Sequence, residues 1–267
     1  MQKIIMYLTK VFYKVGDIPI FNPLYIHAYI IHQWLLNFRS QPLSVNQKSA
    51  IIFSPHQDDE TLGCGGLIAL KREMGIPIKV IFLTNGQKSH IATPWVQPPE
   101  NLIQVRKQEA TTALHILGVK VSNIHFFDLI DGTLNHLSNE QYQNTIKHLI
   151  ELIQTFKPGE IYVPHRKDNH PDHECTYKFV KAAIEQSQIE LDLLQYPIWI
   201  FWLSPLFIKL KFSYLTGAYR LYINSVLEQK KLAITVYKSQ APILPPRFLK
   251  SFLLNHHEIF FKDQPKI

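Results

Sequence analysis

Only two cysteines, Cys64 and Cys175, occur in the 267 residues, too few for the disulfide framework of a small secreted fold. They suit a reducing compartment, so a cytoplasmic location is expected. Charged residues make up only 18% of the chain and hydrophobic ones 46%, a balance that builds a core and excludes disorder on composition. Runs of Lys and Arg are absent, with no more than two side by side, at Lys71-Arg72, Arg106-Lys107, Arg166-Lys167 and Lys230-Lys231. That is unlike a nucleic-acid-binding arm, and no nucleic-acid partner is expected. Long clean apolar runs are missing too. Residues 18–38 carry no formal charge but contain Pro19, Pro23, His27, His32 and Gln33. Residues 193–208 fall short of the roughly 20 apolar residues of a membrane span and are broken by Pro197 and Pro205. Lys3, Lys10, Lys14 and Asp17 interrupt any signal-peptide core at the start.

What is present is a surplus of positive charge, 28 Lys and Arg against 21 Asp and Glu, for a net charge of +7. This favours acidic partners such as phosphorylated or nucleotide-linked substrates or anionic lipid, although a mildly basic surface with no specific role explains it as well.

From residue 50 onward, apolar strand-like runs alternate with helical periodicity. Strands are expected at 50–54, 77–84, 124–127 and 160–163. Helices are expected at 61–74, 101–117, 138–156 and 171–186, with Gly75, Gly118 and Pro158 as their stops. The alternation predicts an α/β fold, a Rossmann-like three-layer sandwich on a mostly parallel sheet. Residues 1–48 read as an N-terminal extension with a helix over 24–38 and a polar link over 40–48, and residues 49–267 as the main domain. After Leu191 the pattern weakens into an aromatic, proline-broken segment and a helix around 225–239.

Two polar clusters follow strands. Ser54-Pro55-His56-Gln57-Asp58-Asp59-Glu60 comes directly after the first, and Asp168-Asn169-His170-Pro171-Asp172-His173-Glu174 just past the fourth. Ligands in open α/β sheets bind beyond the carboxyl ends of strands, so both clusters stand where chemistry is expected. Crowded carboxylates need a cation or a basic partner. A catalytic zinc takes three protein ligands from His and carboxylate and keeps one position for water. His56, Asp59 and a histidine of the second cluster could supply them, with a free carboxylate nearby as general base. The plain alternatives are acids that start a helix and a polar loop with proline at the first helical position. Gly63-Cys64-Gly65-Gly66 lacks the Lys-Ser/Thr pair of a phosphate loop, and close helix–sheet packing explains it better. Both cysteines read as small buried residues.

Pro55-His56-Gln57-Asp58-Asp59-Glu60 and His170-Pro171-Asp172-His173 resemble the paired signatures of the LmbE/PIG-L family of zinc-dependent N-acetylglucosamine deacetylases. Arg106-Lys107-Gln108-Glu109-Ala110, Asp131-Gly132 and Tyr237-Lys238-Ser239-Gln240 extend the similarity over residues 50–240. The resemblance implies hydrolysis of the acetamide of an amino-sugar conjugate, releasing acetate. It also implies Zn²⁺ held by His56, Asp59 and His173, with another divalent ion such as Fe²⁺ compatible with the same ligands. Asp58 would be the general base, His170 the group that stabilises the oxyanion, and Asp172 the carboxylate that orients a flanking imidazole. Arg106 and Asp131 would be candidates for gripping the sugar or a neighbouring phosphate. Gln57 stands where the family usually has proline, which predicts a looser link between ligand and base. Asp168 stands where some members carry tyrosine, and an acid there is expected to help His170 keep its proton.

The competing readings are a non-catalytic sugar or nucleotide-sugar binding protein and a two-metal phosphoester hydrolase. Residues 196–207, rich in aromatics, would wall a sugar groove, rest on the inner face of a membrane or pack in a subdomain or dimer contact. A lipid-linked substrate and peripheral membrane contact are therefore kept open, as is the oligomeric state.

Overall fold

The run Ala50–Ser54 is apolar on both faces, as a strand in the middle of a parallel sheet must be when helices cover each side. Alternate residues go to opposite cores: Ala50 and Ile52 into one cluster, Ile51 and Phe53 into the other. The computed structural model describes residues 36, 38–93, 95–200 and 217–263, and everything below concerns these. The expected helix over 24–38 lies almost wholly outside them.

The strands are β1 (Gln41–Leu43), β2 (Ala50–Ser54), β3 (Ile78–Thr84), β4 (Ile124–Leu129), β5 (Glu160–Pro164), β6 (Asp192–Tyr196), β7 (Ala218–Tyr222) and β8 (His257–Lys262). The helices are α1 (Asp59–Glu73), α2 (Leu102–Ile116), α3 (Asn139–Phe156), α4 (Pro171–Ser187), α5 (Leu227–Ile234) and α6 (Pro246–Leu254). One eight-stranded sheet runs β1-β7-β8-β6-β5-β2-β3-β4. Its pairs are parallel except for β8, which is antiparallel to both β6 and β7. From β2 the chain winds outward one way through β3 and β4 and the other way through β5 and β6. The switch between the two directions falls at the β2–β5 pair, where ligands of open α/β sheets bind.

The helices form where their signals stand. Ser138 and Gln141 close a reciprocal capping box at the start of α3. Pro171 opens α4, where its missing N–H costs nothing. One core holds α1, α2, α5 and α6 against the sheet, and the other holds α3 and α4. The expected three layers are there. Strands β1, β6, β7 and β8 and helix α6 were not anticipated, and the helix expected around 225–239 is confined to Leu227–Ile234. Strand β1 lies in the stretch assigned to the extension, yet it pairs with β7 in the sheet.

The glycines of α1 let the C-terminal elements approach. A Cβ on Gly63 would sit 2.4 Å from the Tyr196 ring, and one on Gly66 2.4 Å from Ile223 Cγ2. Replacing Gly66 with alanine gains about 1 kcal/mol of helix propensity, but overpacking a buried, β-branched neighbour costs about 1–3 kcal/mol. Gly66→Ala is therefore expected to lower stability on balance, measured as a reduced midpoint in urea unfolding. A midpoint at or above that of the parent would refute the close-packing explanation.

Candidate active site

The first polar cluster leaves β2 and turns into α1. The second leaves β5 and turns into α4. Because β2 and β5 are parallel neighbours, both turns emerge at the same sheet edge. Asp59 Oδ2 lies between two imidazoles, 3.1 Å from His56 Nδ1 and 3.2 Å from His173 Nε2. The outer nitrogens of both rings meet carboxylates. His173 Nδ1 is 2.8 Å from Asp168 Oδ2, and His56 Nε2 is 3.2 Å from Asp131 Oδ1 and 3.3 Å from Asp172 Oδ2. His170 completes a group of three histidines, its ring centroid 4.9 Å from that of His56 and 4.8 Å from that of His173.

Among the described residues, two sets bring one ligand atom each within 4.8 Å of one another: His56, His170 and His173, and His56, Asp131 and Asp172. The donor types suit a divalent ion. His173 Nε2 is buried without a hydrogen-bond partner although Asp59 Oδ2 is close by. A cation between them would satisfy both atoms. Carboxylates behind the outer nitrogens fix ring orientation as they do behind metal-bound histidines.

The electrostatics point the same way. Burial disfavours charge on His56, but the carboxylates of Asp131, Asp172 and Asp59 outweigh it and hold its pKa well above the ordinary value. Burial also opposes protonation of His173, and Asp59 and Asp168 overcome it, raising the group to about 9. Asp59 is drawn the other way: burial would raise it, and the two imidazoles hold it well below the usual carboxylate range. The carboxylates around His56 and His173 thus favour positive charge at this corner, the charge a divalent ion would bring.

Asp58 is set apart. Its φ of 149° and ψ of −31° fall in a region that L-residues rarely occupy, a strain of roughly 1–3 kcal/mol that survives only where neighbours enforce it. They do so here: its N–H donates to Glu60 Oε2 at 3.1 Å. Arg106 reaches from α2 to donate to Gln57 O at 2.7 Å, Gly86 O at 3.1 Å and Asp58 Oδ1 at 3.4 Å. Burial pushes Asp58 up to about 8, Arg106 pulling it down and Asp59 pushing it up.

Arg106 and Asp131, expected as substrate contacts, are both buried. Arg106 supports the turn that holds Asp58, and Asp131 joins His56 to the Lys88 N–H at 2.8 Å. Asp172 accepts from Gly132 N at 2.7 Å and Leu134 N at 3.2 Å, fixing the 131–134 turn behind His56. Gln57 is anchored through its side-chain amide, which donates to Thr84 O at 2.7 Å, so the loop gains a tie to β3 where proline would have stiffened it.

The expectation for Asp168 and His170 needs correcting. Asp168 turns to His173 and to the N–H groups of Ile198, Trp199 and Ile200. His170, buried and facing the positive charge of His173 and His56, is driven down to about 3. It is neutral, and its Nδ1 accepts from Asp172 N at 3.3 Å, which leaves Nε2 as the N–H. Cys64 and Cys175 are buried core residues. Of the aromatic segment, only 196–200 are described. Tyr196 OH donates to Phe53 O at 2.8 Å and Trp199 stacks on Phe248, with ring centroids 4.4 Å apart. No helix among the described residues is long and apolar enough to cross a membrane.

Three residues that sequence reasoning gave no role support this edge from far along the chain: Tyr237, which bonds Glu60 and Thr61, and the pair Lys230 and Glu258.

The model of the family "PIG-L: GlcNAc-PI de-N-acetylase" matches residues 51–184. This chain belongs to the PIG-L family. Both polar clusters fall inside the match, whereas β6, β7, α5, α6 and β8 fall outside it. The probable N-acetyl-alpha-D-glucosaminyl L-malate deacetylase 2 of Bacillus subtilis is 29% identical over 150 residues, 54% of this chain and 64% of that protein. The 4-oxalmesaconate hydratase of Pseudomonas putida is 34% identical over 152 residues, 55% of this chain and 56% of that protein. The chain thus spans less than two thirds of these relatives. Among solved structures, the N,N'-diacetylchitobiose deacetylase of Pyrococcus horikoshii has the same fold, with a TM-score of 0.61 at 20% identity over 86% of this chain and 88% of that one.

Proposed function

We propose that this PIG-L protein is a metal-dependent hydrolase that removes the acetyl group from a small N-acetylglucosamine-type conjugate, with zinc as the metal. The observation that carries the reading is the corner made by His56 Nδ1, Asp59 Oδ2 and His173 Nε2 beside a strained, buried Asp58. A binding protein has no use for a carboxylate held at such cost. The two sets of candidate ligands both draw on His56, which speaks for one ion rather than the pair a two-metal phosphoesterase needs, about 4 Å apart.

His56, Asp59 and His173 would hold the ion, oriented by Asp131, Asp172 and Asp168. Bound there, a divalent ion supplies positive charge that polarises the amide carbonyl and acidifies water. Asp58 then takes a proton from the attacking water and returns it to the leaving nitrogen as the C–N bond breaks, giving acetate and a free amine. The His170 Nε2–H donates to the carbonyl oxygen as negative charge grows on it; its neutrality makes it a hydrogen-bond donor rather than a second acid. Arg106 holds the backbone of Gln57 so that Asp58 stays beside the corner.

The hydratase relative motivates a second reading, addition of water to a carbon–carbon double bond of an unsaturated acid with Asp58 again handling the proton. The test is a screen of N-acetylglucosamine conjugates for primary-amine release, after chelation and after zinc is restored. Amine release that disappears on chelation and returns with zinc is the expected result. Loss of ultraviolet absorbance from conjugated unsaturated acids, with no amine released from any conjugate, would replace the first reading with the second.

A further inference from the structure

Helix α1 carries Asp59 in its first turn, and its backbone is entered in the middle by a buried ion pair from the C-terminal elements. Gly66 N and Leu67 N donate to Glu258 Oε1 and Oε2 at 2.7 and 2.9 Å. The Leu62 carbonyl, which stands four residues before Gly66 and would accept from it in an unbroken ladder, receives Lys230 Nζ at 2.9 Å. Lys230 Nζ and Glu258 Oε1 are 2.7 Å apart, and both side chains are almost wholly buried. The missing side chain at Gly65 makes room, since a Cβ there would lie 3.1 Å from Lys230 Cγ. A second contact meets the same turn: Tyr237 OH donates to Glu60, whose other oxygen accepts the Asp58 N–H. Residues 230, 237 and 258 all lie beyond the part matched by the family model.

A buried ion pair is a poor way to gain stability, because desolvation of both charges offsets their attraction and apolar residues of similar size do as well. Apolar residues cannot, however, hold backbone N–H and C=O groups inside a helix. The pair grips α1 on both sides of its glycine stretch, one turn past the residues that face His56 and His173. We propose that Lys230 and Glu258 are positioning residues that set the placement of the 58–62 turn. The C-terminal elements outside the family match would thereby complete the site. The kinetic part of this inference rests on the deacetylase reading; the metal-binding part does not.

The test uses the full chain with Glu258→Gln, Lys230→Met and the double variant. Zinc affinity is measured by competition with a chelator, thermal midpoint by calorimetry, and kcat and KM on the best conjugate from the screen. Glu258→Gln leaves the Lys230 ammonium unpaired, and zinc affinity and kcat are expected to fall about tenfold with KM unchanged, as when other supports of metal ligands are removed. In the double variant both charges are gone, and the midpoint is expected to recover while zinc affinity and kcat stay low. A double variant that regains all three would reduce the pair to a packing element and overturn the proposal, as would single variants with the parent's zinc affinity. A parent protein that binds zinc but hydrolyses no conjugate would defeat only the deacetylase reading, and zinc affinity would still decide the role of the pair.

Discussion

Asp58→Asn is expected to keep the metal and the fold and to lose roughly 10²- to 10⁴-fold in kcat, the range that a positioned general base contributes. Asparagine matches aspartate in shape and tolerates positive φ comparatively well, so the turn between Gln57 and Glu60 should survive. What disappears is the ability to accept a proton. The variant also puts a neutral amide in a buried position where burial already opposes ionisation, pushing the carboxyl up to about 8. Its thermal midpoint should therefore not fall. Asp58→Gly goes further: it relieves the strain at φ 149° and should raise stability by about 1 kcal/mol or more while activity stays lost. An active site that becomes more stable when its base is removed is the signature of strain kept for function. Normal turnover by Asp58→Asn would remove Asp58 from the mechanism.

The second large effect is proton release on metal binding. Without metal, His173 titrates at about 9 and His56 well above its ordinary value, both held there by carboxylates that overcome burial. Both are charged at pH 7, and a metal ligand must be deprotonated, so zinc binding should expel about two protons. Calorimetry in buffers of different ionisation enthalpy counts them. Apparent zinc affinity should accordingly climb with pH between 6 and 8, by up to about a hundredfold per unit if both protons leave. The sign for the metal-free protein is opposite. A raised histidine pKa adds stability that is fully present below the unfolded value near 6.5 and is lost as pH rises through about 9. His173→Ala should release at least one proton fewer and weaken zinc binding by more than the roughly 10- to 100-fold that loss of an outer support costs. Zinc uptake with no proton release would show that these imidazoles are not the ligands.

Much of the central sheet was legible because short apolar runs and helical periodicity are local signals. The strand at Ala50–Ser54, the helix stops at Gly75 and Gly118 and the cap at Ser138 could each be read within a few residues. The two polar clusters were legible for the same reason, and parallel order put them at one edge. The supports were not. Asp168 reads locally as a neighbour of His170 two positions on, but the turn points its carboxylate at His173 and the 198–200 backbone. Arg106 sits within a helix and reads as a candidate grip on the substrate until the fold buries it beside Gly86. Lys230 and Glu258 reach α1 across more than 160 residues of chain, and no pattern in their own segments announces a helix as the partner. Strand β8 was missed because a six-residue run after a proline-rich stretch gives too little periodicity to separate strand from loop.

The position of β8 has a consequence for how the chain is made. It lies between β6 and β7, and β1 in turn is paired only with β7. Until residues 257–262 emerge from the ribosome, the growing polypeptide can pair β2 to β6 but leaves β6 with a bare edge and β1 and β7 with nowhere to dock. Synthesis must pass through a state in which early and late strands wait for the last one, and that exposed edge of β6 is the place where a stalled or shortened chain would stick to its neighbours.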